Sequence, residues 1–222
     1  MARPAARRDR PSRGEAQRDV RRAILDATQH LLADHRFDEL SVADILSAAH
    51  VSRASFYFYF ESKHAVLAEL IRAAVDQAQA SAQPWLEHQD DASPRATLRQ
   101  GTIAGARLWR EHAPVLRAIV ENWRSDERLT QLWGQMMERF TVAATERIQR
   151  DRSAGRAPVT EVDARVLAAA LTWLSERAYY LAAIGHAPFD NEQALVDALT
   201  EIWASSIYSG QPPDGRHDGG AG

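Results

Sequence analysis

Residues 41 to 63 read SVADILSAAHVSRASFYFYFESK, and this stretch predicts two short helices around a tight turn. Ser41 and Asp44 have the spacing of a capping box, in which each side chain satisfies a free backbone amide in the first turn of a helix. Ser52 can cap a second helix in the same way. Between the two caps, apolar residues recur at helical spacing: Val42, Ile45, Leu46 and Ala49. Two helices this close together form the helix-turn-helix pattern, whose second helix can lie in a DNA major groove.

Five consecutive aromatic residues, 56 to 60, follow the second cap. Aromatic residues favour strands, but the flanking caps favour a helix here. At about 100° per residue, Phe56 and Phe60 fall on one face, and we expect both in the core. The other side of the helix, which we expect to be exposed, carries Arg53, Ala54, Tyr57 and Phe58. An exposed face that combines aromatic and arginine side chains is better explained as a binding surface than by stability alone.

The order Val51-Ser52-Arg53, then FYFYF, then Ser62-Lys63 resembles the signature of TetR-family transcriptional repressors. Within that family the chain is similar to the branch that represses the ethionamide-activating monooxygenase. The matching segments are FYFYF-x-SK at 56 to 63, AGRAP at 154 to 158, Ser175-Glu176-Arg177, and Ile202-Trp203 followed by Ser206-Ile207-Tyr208. His50 stands where the family usually has glycine. We therefore expect His50 to adopt a left-handed backbone conformation, which His tolerates better than most residues do.

The resemblance implies an all-α fold with about nine helices. An N-terminal three-helix domain would carry the helix-turn-helix, and a C-terminal helical domain would bind a ligand and dimerise. In the recognition helix, Arg53, Ala54 and Tyr57 are the candidates for contacts with base edges. The candidates for phosphate contacts are Ser41, Ser55, Tyr59 and Lys63, and the DNA-binding set also includes Ser52 and Phe58. Lys63 begins a helix, where free amides favour anions.

Composition excludes several classes of function. The chain has 222 residues, 45% of them apolar, and no cysteine. The lack of cysteine excludes disulfides, thiolate metal sites and cysteine nucleophiles. No stretch approaches the roughly 18 uncharged apolar residues of a membrane span. The basic N-terminus is not followed by an apolar signal core, so we expect a cytoplasmic protein without membrane contact.

Four segments are expected: an arm at 1–15, a DNA-binding domain at 16–67, a ligand and dimer domain at 68–208, and a tail at 209–222. Arm and tail lack periodicity, which predicts disorder. Residues 1 to 22 hold eight arginines against three acidic residues. The arm could therefore meet phosphates or the minor groove, or it could be a solvated tail that binds nothing.

Periodicity and breakers place the helices outside the central motif. We predict a first helix at 16–34 and a fourth at 63–83, which Pro84 is expected to stop. After a loop at 85–94, five more helices are predicted at 95–111, 113–121, 125–151, 161–185 and 190–208.

The C-terminal part is rich in large aromatic residues, including Trp109, Trp123, Trp133, Trp173 and Trp203. Each alone would be assigned to the core, but together they exceed what five helices need. An aromatic-lined cavity with a few polar groups is the usual form of a small-molecule site. The hydroxyls of Thr172 and Ser175 lie on one helical face and would replace two amides of the family branch. The candidate ligand-binding set is Trp109, Trp133, Met136, Phe140, Thr172, Ser175, Glu176, Tyr179 and Trp203.

The last two predicted helices are apolar on more than one side. In the helix at 161–185, one line contains Val166, Ala170, Trp173 and Ile184, and another contains Leu167, Leu171, Leu174, Ala178 and Leu181. One face can close a pocket, whereas the other needs a partner. In the family these two helices pair across a two-fold axis. We therefore expect a homodimer through 161–185 and 190–208.

Two alternatives remain open at this point: a helical ligand-binding or adaptor protein without DNA contact, and an enzyme that uses the aromatic pocket. The sequence has no nucleophile elbow, metal motif or Gly-rich phosphate loop. No two histidines have the spacing that puts metal ligands on one helical face. We expect no catalytic activity, metal or cofactor. The expected partners are double-stranded operator DNA, a hydrophobic small-molecule effector and a second copy of the chain.

Overall fold

The computed structural model describes residues 13–86 and 93–209. Within these ranges the protein consists of nine α-helices and a short 3₁₀ turn at Trp123–Ser125, with no β-strand. The helices are α1 Arg13–Asp34, α2 Val42–Ala49, α3 Arg53–Tyr59, α4 Lys63–Leu86, α5 Pro94–Glu111, α6 Ala113–Asn122, α7 Glu127–Ser153, α8 Ala164–Ala183 and α9 Glu192–Tyr208. The all-α prediction is confirmed.

A small apolar core holds α1, α2 and α3 together. Ile24 and Leu32 of α1, Ile45 of α2 and Phe56 of α3 are fully buried. Phe37, in the loop after α1, closes this core from one side. The helical spacing of these side chains puts them on the inner faces of their helices, which leaves the outer face of α3 free.

Helix α4 joins this N-terminal core to the rest of the protein. Its buried residues Leu67 and Ile71 belong to one continuous apolar cluster with Ile119 of α6 and Leu129 of α7. The prediction that Pro84 stops α4 was wrong, because the helix continues to Leu86. A proline inside a helix removes one backbone donor and crowds the carbonyl four residues earlier, which disfavours the helix without forbidding it, and here the chain completes two more helical residues.

In the C-terminal part, α5 packs on α9 and α7 packs on α8. Side-chain caps start four of these helices: Ser93 for α5, Asp126 for α7, Asp163 for α8 and Asn191 for α9. The observed ends lie within three residues of the predicted ones. Helix α8 ends before Gly185, which has a φ of 69° that favours glycine.

The predicted terminal segments lie mostly outside the described residues. Helix α1 starts at Arg13, three residues before the predicted start, so the end of the predicted arm is helical. Residues 1–12 of the arm, 87–92 of the predicted loop and 210–222 of the tail are outside the described ranges.

Candidate DNA-binding surface and effector site

The first helix of the motif begins with the predicted capping box. The amide of Ser41 donates to Asp44 Oδ2 at 2.8 Å, and the amide of Asp44 donates to Ser41 Oγ at 3.2 Å. Hydrogen bonds from Ser41 lower the pKa of the Asp44 carboxyl below its usual value. The carboxylate is therefore charged near neutral pH, which suits the positive end of the helix dipole.

The turn between α2 and α3 has the predicted left-handed residue. His50 has φ 53° and ψ 41° and is the residue that ends α2. Its amide donates to the carbonyl of Ser47 at 3.4 Å, and the amide of Val51 donates to the carbonyl of Leu46 at 3.2 Å. These bonds satisfy carbonyls at the end of α2 and turn the chain directly into α3.

The recognition helix α3 divides into two faces as predicted. Phe56 and Phe60 are buried, whereas Tyr57 is 48% exposed and Phe58 is 70% exposed. The guanidinium of Arg53 lies 5.9 Å from the ring centroid of Tyr57, so these two exposed side chains form one surface. Two buried phenylalanines therefore hold α3 in place while its outer face stays free.

The remaining residues of the candidate DNA-binding set surround this surface. Ser52 Oγ accepts a hydrogen bond from the amide of Ser55 at 3.1 Å and lies 2.8 Å from Ser55 Oγ. Ala54 is exposed. Tyr59 is half-buried, and its ring meets that of Phe58 edge to face at 4.9 Å.

Lys63 has a different position from the one expected of a phosphate ligand. Its Nζ donates to the carbonyls of Phe37 at 2.8 Å, Leu40 at 2.6 Å and Asp38 at 3.3 Å. It also lies 4.7 Å from the ring centroid of Phe37. Burial lowers the pKa of the amine. Because an ammonium has three donors, these carbonyls use them all, and Lys63 ties the start of α4 to the loop before α2.

Replacing Lys63 by methionine is expected to reduce the free energy of unfolding by about 2 kcal/mol, since three carbonyls lose a charged donor. Thermal unfolding monitored by circular dichroism would measure this loss. Lys63→Arg keeps the charge and serves as the comparison. An unchanged melting temperature, with equally weakened binding to every DNA sequence, would instead assign Lys63 to phosphates.

Most of the candidate ligand-binding residues lie inside the helical domain. Trp109, Trp133, Met136, Thr172, Glu176 and Tyr179 are buried, and Ser175 and Trp203 are partly buried. Phe140 differs, because 41% of its side chain is exposed. It lies beside the inward line of α7, which contains Leu129, Trp133, Met137 and Thr141.

Several of these residues bind one another or nearby backbone. Trp203 Nε1 donates to Ser175 Oγ at 2.9 Å, and Ser175 Oγ donates to the carbonyl of Leu171 at 2.9 Å. Tyr179 Oη donates to the carbonyl of Thr102 at 3.0 Å. The Tyr179 ring also covers Gly105, where a Cβ would lie 2.6 Å from the hydroxyl oxygen. An effector in this region would have to replace such contacts.

Two buried polar groups in this region are poorly paired. Trp133 Nε1 has no hydrogen-bond acceptor within the described part of the chain. Glu176 has an ion-pair partner in Arg177, with the Nε and Oε2 atoms 3.9 Å apart, and burial raises the pKa of its carboxyl. Two surface depressions, of about 410 and 540 Å³, lie elsewhere, between α1 and α2 and at the C-terminal end of α7.

The outer face of α8 is apolar and uncovered in the single chain. Val166 is 64% exposed and Leu174 is 41% exposed, and Ala170 between them is also exposed. Trp173 and Ile184 lie on the same side, and Ile202 of α9 is exposed as well. The predicted line from Val166 to Ile184 is therefore on the surface, whereas Leu171 and Ala178 of the second line are buried.

Long-range polar contacts are the part of the site that sequence reasoning missed. Arg117, Glu121 and Tyr180 connect α1, α6 and α8, and Asp151 lies at the centre of a charged cluster. The sequence contains a related signal, the AGRAP segment, whose Arg156 binds Asp151. Arg147 and Asp151 also have the i,i+4 spacing of a helix ion pair. No spacing rule predicts the contacts of Arg117, Glu121 and Tyr208, because their partners are far apart in the chain.

Two family models match the chain. The model described as "Bacterial regulatory proteins, tetR family" matches residues 24–70. The model described as "Transcriptional regulator EthR, C-terminal domain" matches residues 98–209. The chain belongs to the TetR family. It is therefore a helix-turn-helix transcriptional regulator of the TetR family, and the predicted branch is confirmed.

Curated relatives match this TetR-family chain over most of its length. The HTH-type transcriptional regulator EthR of Mycobacterium tuberculosis (strain ATCC 25618 / H37Rv) is 33% identical over 186 residues, which is 84% of this chain and 86% of that protein. EthR of Mycolicibacterium smegmatis is 32% identical over 209 residues, or 94% of each chain.

Solved structures share the fold at lower identity. A TetR-family regulator from Syntrophomonas wolfei superposes with a TM-score of 0.68 at 15% identity, over 85% of this chain and 94% of that one. A transcriptional regulator from Saccharomonospora viridis, in complex with choline, has a TM-score of 0.67 at 20% identity, over 86% of this chain and 98% of that one. These likenesses support the TetR-like fold.

Membrane-spanning helices and metal-binding side-chain groups are both absent from the described residues. Between 13 and 86 and between 93 and 209, no helix is long and apolar enough to cross a membrane. In the same ranges, no three His, Cys, Asp or Glu side chains are grouped closely enough to hold a metal ion.

Proposed function

We propose that this TetR-family regulator is a repressor that binds a palindromic operator as a homodimer and is released by a hydrophobic small molecule. The observation that carries the proposal is the exposed face of α3, where Arg53, Tyr57 and Phe58 project from a helix held by two buried phenylalanines. A rigid helix with a free aromatic and cationic face fits the major groove. Such a protein would act in the cytoplasm, where the operator is accessible.

On this proposal the side chains of α3 divide between bases and backbone. Arg53 is the candidate for a guanine edge, and Tyr57 and Ala54 are the candidates for neighbouring bases. Phe58 can cover a thymine methyl group. Phosphate contacts are assigned to Ser41, Ser52, Ser55 and Tyr59 at the rim of the surface. Lys63 is assigned to supporting the domain, because its donors are occupied by carbonyls.

The proposed dimer joins the outer faces of α8 and α9 across a two-fold axis. Val166, Leu174 and Ile202 supply exposed apolar surface that a second copy would cover. A symmetric dimer presents two recognition helices to half-sites separated by about 34 Å or a multiple of it. Dimerisation thus accounts both for the uncovered surface and for a palindromic operator.

The proposed effector enters among the aromatic residues of α5, α7, α8 and α9. It would have to break the contacts of Tyr179 with Thr102 and of Trp203 with Ser175. Trp133 Nε1, which has no acceptor among residues 13–86 and 93–209, offers it a donor. Release requires stronger binding to one of two protein shapes, and moving a 1:99 population to 99:1 needs about 5.5 kcal/mol of difference. A structural relative holds choline, which supports small-molecule binding by this fold without identifying the ligand here.

We also propose that the chain acts by binding and not by catalysis. Its curated relatives are named as transcriptional regulators. The buried carboxylate of Glu176 lies next to Arg177 and is assigned to the effector site.

The test begins with selection of a duplex from random-sequence DNA by the wild-type protein, followed by measurement of its dissociation constant. Arg53→Ala is expected to weaken binding to the selected duplex by about tenfold and to lose discrimination at one base position in each half-site, since a bidentate contact to guanine is lost. The control is Arg107→Ala, which removes an exposed arginine paired with Glu111 in α5. Failure of the wild-type protein to retard any DNA at low salt would favour an adaptor role, and unchanged base preference in Arg53→Ala would contradict the assignment of this residue.

A further inference from the structure

The helix-turn-helix domain is attached to the larger domain by polar contacts on two sides. On one side, Arg117 of α6 donates to the carbonyls of Leu32 at 2.9 Å and His35 at 3.4 Å, at the end of α1. On the other side, Arg128 of α7 pairs with Glu61, which lies between α3 and α4. A guanidinium placed on the last carbonyls of a helix is favoured by the helix dipole. These contacts hold the small domain against α6 and α7 at two separate points.

Between these attachments, Glu121 has an incomplete set of partners. Its side chain is 14% exposed, and Oε1 accepts a hydrogen bond from Tyr180 Oη at 3.1 Å. The other oxygen, Oε2, is buried without a hydrogen-bond donor among the described residues. The guanidinium of Arg36 approaches Oε2 to 3.8 Å, which is close enough for attraction but too far for a hydrogen bond.

Arg36 belongs to the small domain, and Tyr180 belongs to the helix of the effector site. Arg36 lies in the loop between α1 and α2 and also pairs with Asp38 of the same loop at 3.2 Å. Tyr180 follows Tyr179 on α8, and the guanidinium of Arg177 lies 5.0 Å from its ring centroid. Glu121 therefore lies between a side chain of α8 and a side chain of the DNA-binding domain.

We propose that Glu121 is a positioning residue that couples the position of α8 to the angle of the helix-turn-helix domain through Tyr180 and Arg36. While the Tyr180 hydroxyl holds Oε1, the carboxylate is kept from completing its bond with Arg36. When α8 shifts, the hydroxyl leaves and the carboxylate turns to Arg36, which draws the loop between α1 and α2 toward α6. This moves α1 and the recognition helix packed on it. The effector side of the coupling and the dimer in which it is measured rest on the proposed function, whereas the domain angle can be measured without DNA or effector.

The first measurement is the distance between the two small domains of the dimer. Because the sequence contains no cysteine, Ser47→Cys on the exposed side of α2 provides one spin-label site per chain. Tyr180→Phe frees Oε1 and strengthens the attraction to Arg36, whereas Glu121→Gln removes the charge that attracts it. We expect these two substitutions to shift the pulsed-EPR distance distribution in opposite directions. Superimposable distributions, or shifts in the same direction, would overturn the proposal.

The second measurement is a double-mutant cycle on affinity for the selected duplex. Glu121→Gln and Arg36→Ala are each expected to change the dissociation constant by about threefold or more. The double variant is expected to have the same dissociation constant as a single variant. The control is Glu111→Gln, which breaks an exposed pair with Arg107 within α5 and should leave affinity unchanged. Additive effects would mean that Arg36 contacts DNA directly, and would overturn the coupling.

The two proposals can fail separately. If the wild-type protein forms a dimer but binds no DNA, the DNA-binding part of the proposed function fails, and the label distances in that dimer still decide the role of Glu121. If DNA binding is intact but the cycle is additive and the distances are unchanged, the coupling fails and the proposed function stands.

Discussion

Replacing Asp151 by asparagine is expected to lower the free energy of unfolding by about 3 kcal/mol, because a buried charge pair loses one partner. Asp151 is fully buried near the end of α7. Its carboxylate accepts hydrogen bonds from Arg147 Nε at 2.8 Å, from Arg156 Nε at 2.9 Å and from Tyr208 Oη at 2.5 Å. Asparagine retains the shape of the side chain but removes the charge that attracts both guanidinium groups.

The Asp151 cluster connects three parts of the chain. Arg147 lies one turn earlier in α7, Arg156 lies in the loop that follows, and Tyr208 lies at the end of α9. The backbone carbonyl of Asp151 also accepts from the amides of Arg156 at 2.8 Å and Ala157 at 3.1 Å. A substitution at Asp151 thus loosens the end of α7, the following loop and the last turn of α9 together.

The effect should depend on pH. Burial by itself raises the pKa of Asp151, but hydrogen bonds from Tyr208, Arg147 and Arg156 outweigh it and leave the pKa below its usual value. As pH falls, the unfolded chain therefore takes up a proton first, near pH 4. The stabilisation is complete above that pH and is lost as pH falls through the lower pKa of the folded protein.

Urea unfolding of wild type and Asp151→Asn at pH 7 and pH 3 measures both claims. We expect a large difference in the free energy of unfolding at pH 7 and a smaller one at pH 3. Asp197→Asn is the matched control, because Asp197 also pairs with an arginine but is exposed. That control should unfold like the wild type. A difference between wild type and Asp151→Asn that is equal at both pH values would show that the charge of Asp151 is not the cause.

Replacing Leu174 by glutamate is expected to raise the dimer dissociation constant by about a hundredfold or more, since a symmetric interface would bury two unpaired carboxylates. Leu174 is exposed in the single chain and lies one turn from Ala170 and two turns from Val166 on α8. Leu174 belongs to neither buried core cluster, so a charged side chain at this position can turn to solvent without emptying the core. The monomer should therefore remain helical while dimer and operator binding are lost together.

Sedimentation or light scattering over a concentration series measures the dissociation constant, and circular dichroism measures the fold. Val142→Glu provides the comparison, because Val142 is an exposed apolar residue of α7 outside the proposed interface. If Leu174→Glu remains a dimer at the concentrations at which wild type is dimeric, the α8 face is not the interface. If both variants dissociate, the interface includes α7 and has to be placed differently.

The fold could be predicted largely because its signals are local. The caps of α2 and α3, the left-handed His50 and the opposite faces of Phe56 and Phe58 all follow from residues within about four positions of each other. Helix ends marked by strong caps were predicted to within a few residues of their observed positions. The error at Pro84 has a different origin, since a proline disfavours the helical conformation of the preceding residue but does not force the helix to end there.

The candidate site could be predicted only in part. Its residue types indicated an aromatic interior, and most of the predicted side chains are buried. Their contacts could not be predicted: Ser175 is engaged by Trp203, which is 28 residues away, and Tyr179 by Thr102, which is 77 residues away. Phe140 lies beside the inward line of α7 and not on it, so its residue type alone does not decide its exposure.

By itself, the sequence determined the all-α architecture, the helix-turn-helix and the identity of its exposed face, because helical periodicity and capping act over one or two turns. The tertiary structure alone decided the partners of Lys63 and Glu121 and the contact of Tyr208 with Asp151. The carbonyls bound by Lys63 are 23 to 26 residues away, Tyr208 is 57 residues from Asp151, and Tyr180 is 59 residues from Glu121. A charged group selects such a partner only after packing has removed water and brought distant segments together, so its role depends on the whole fold.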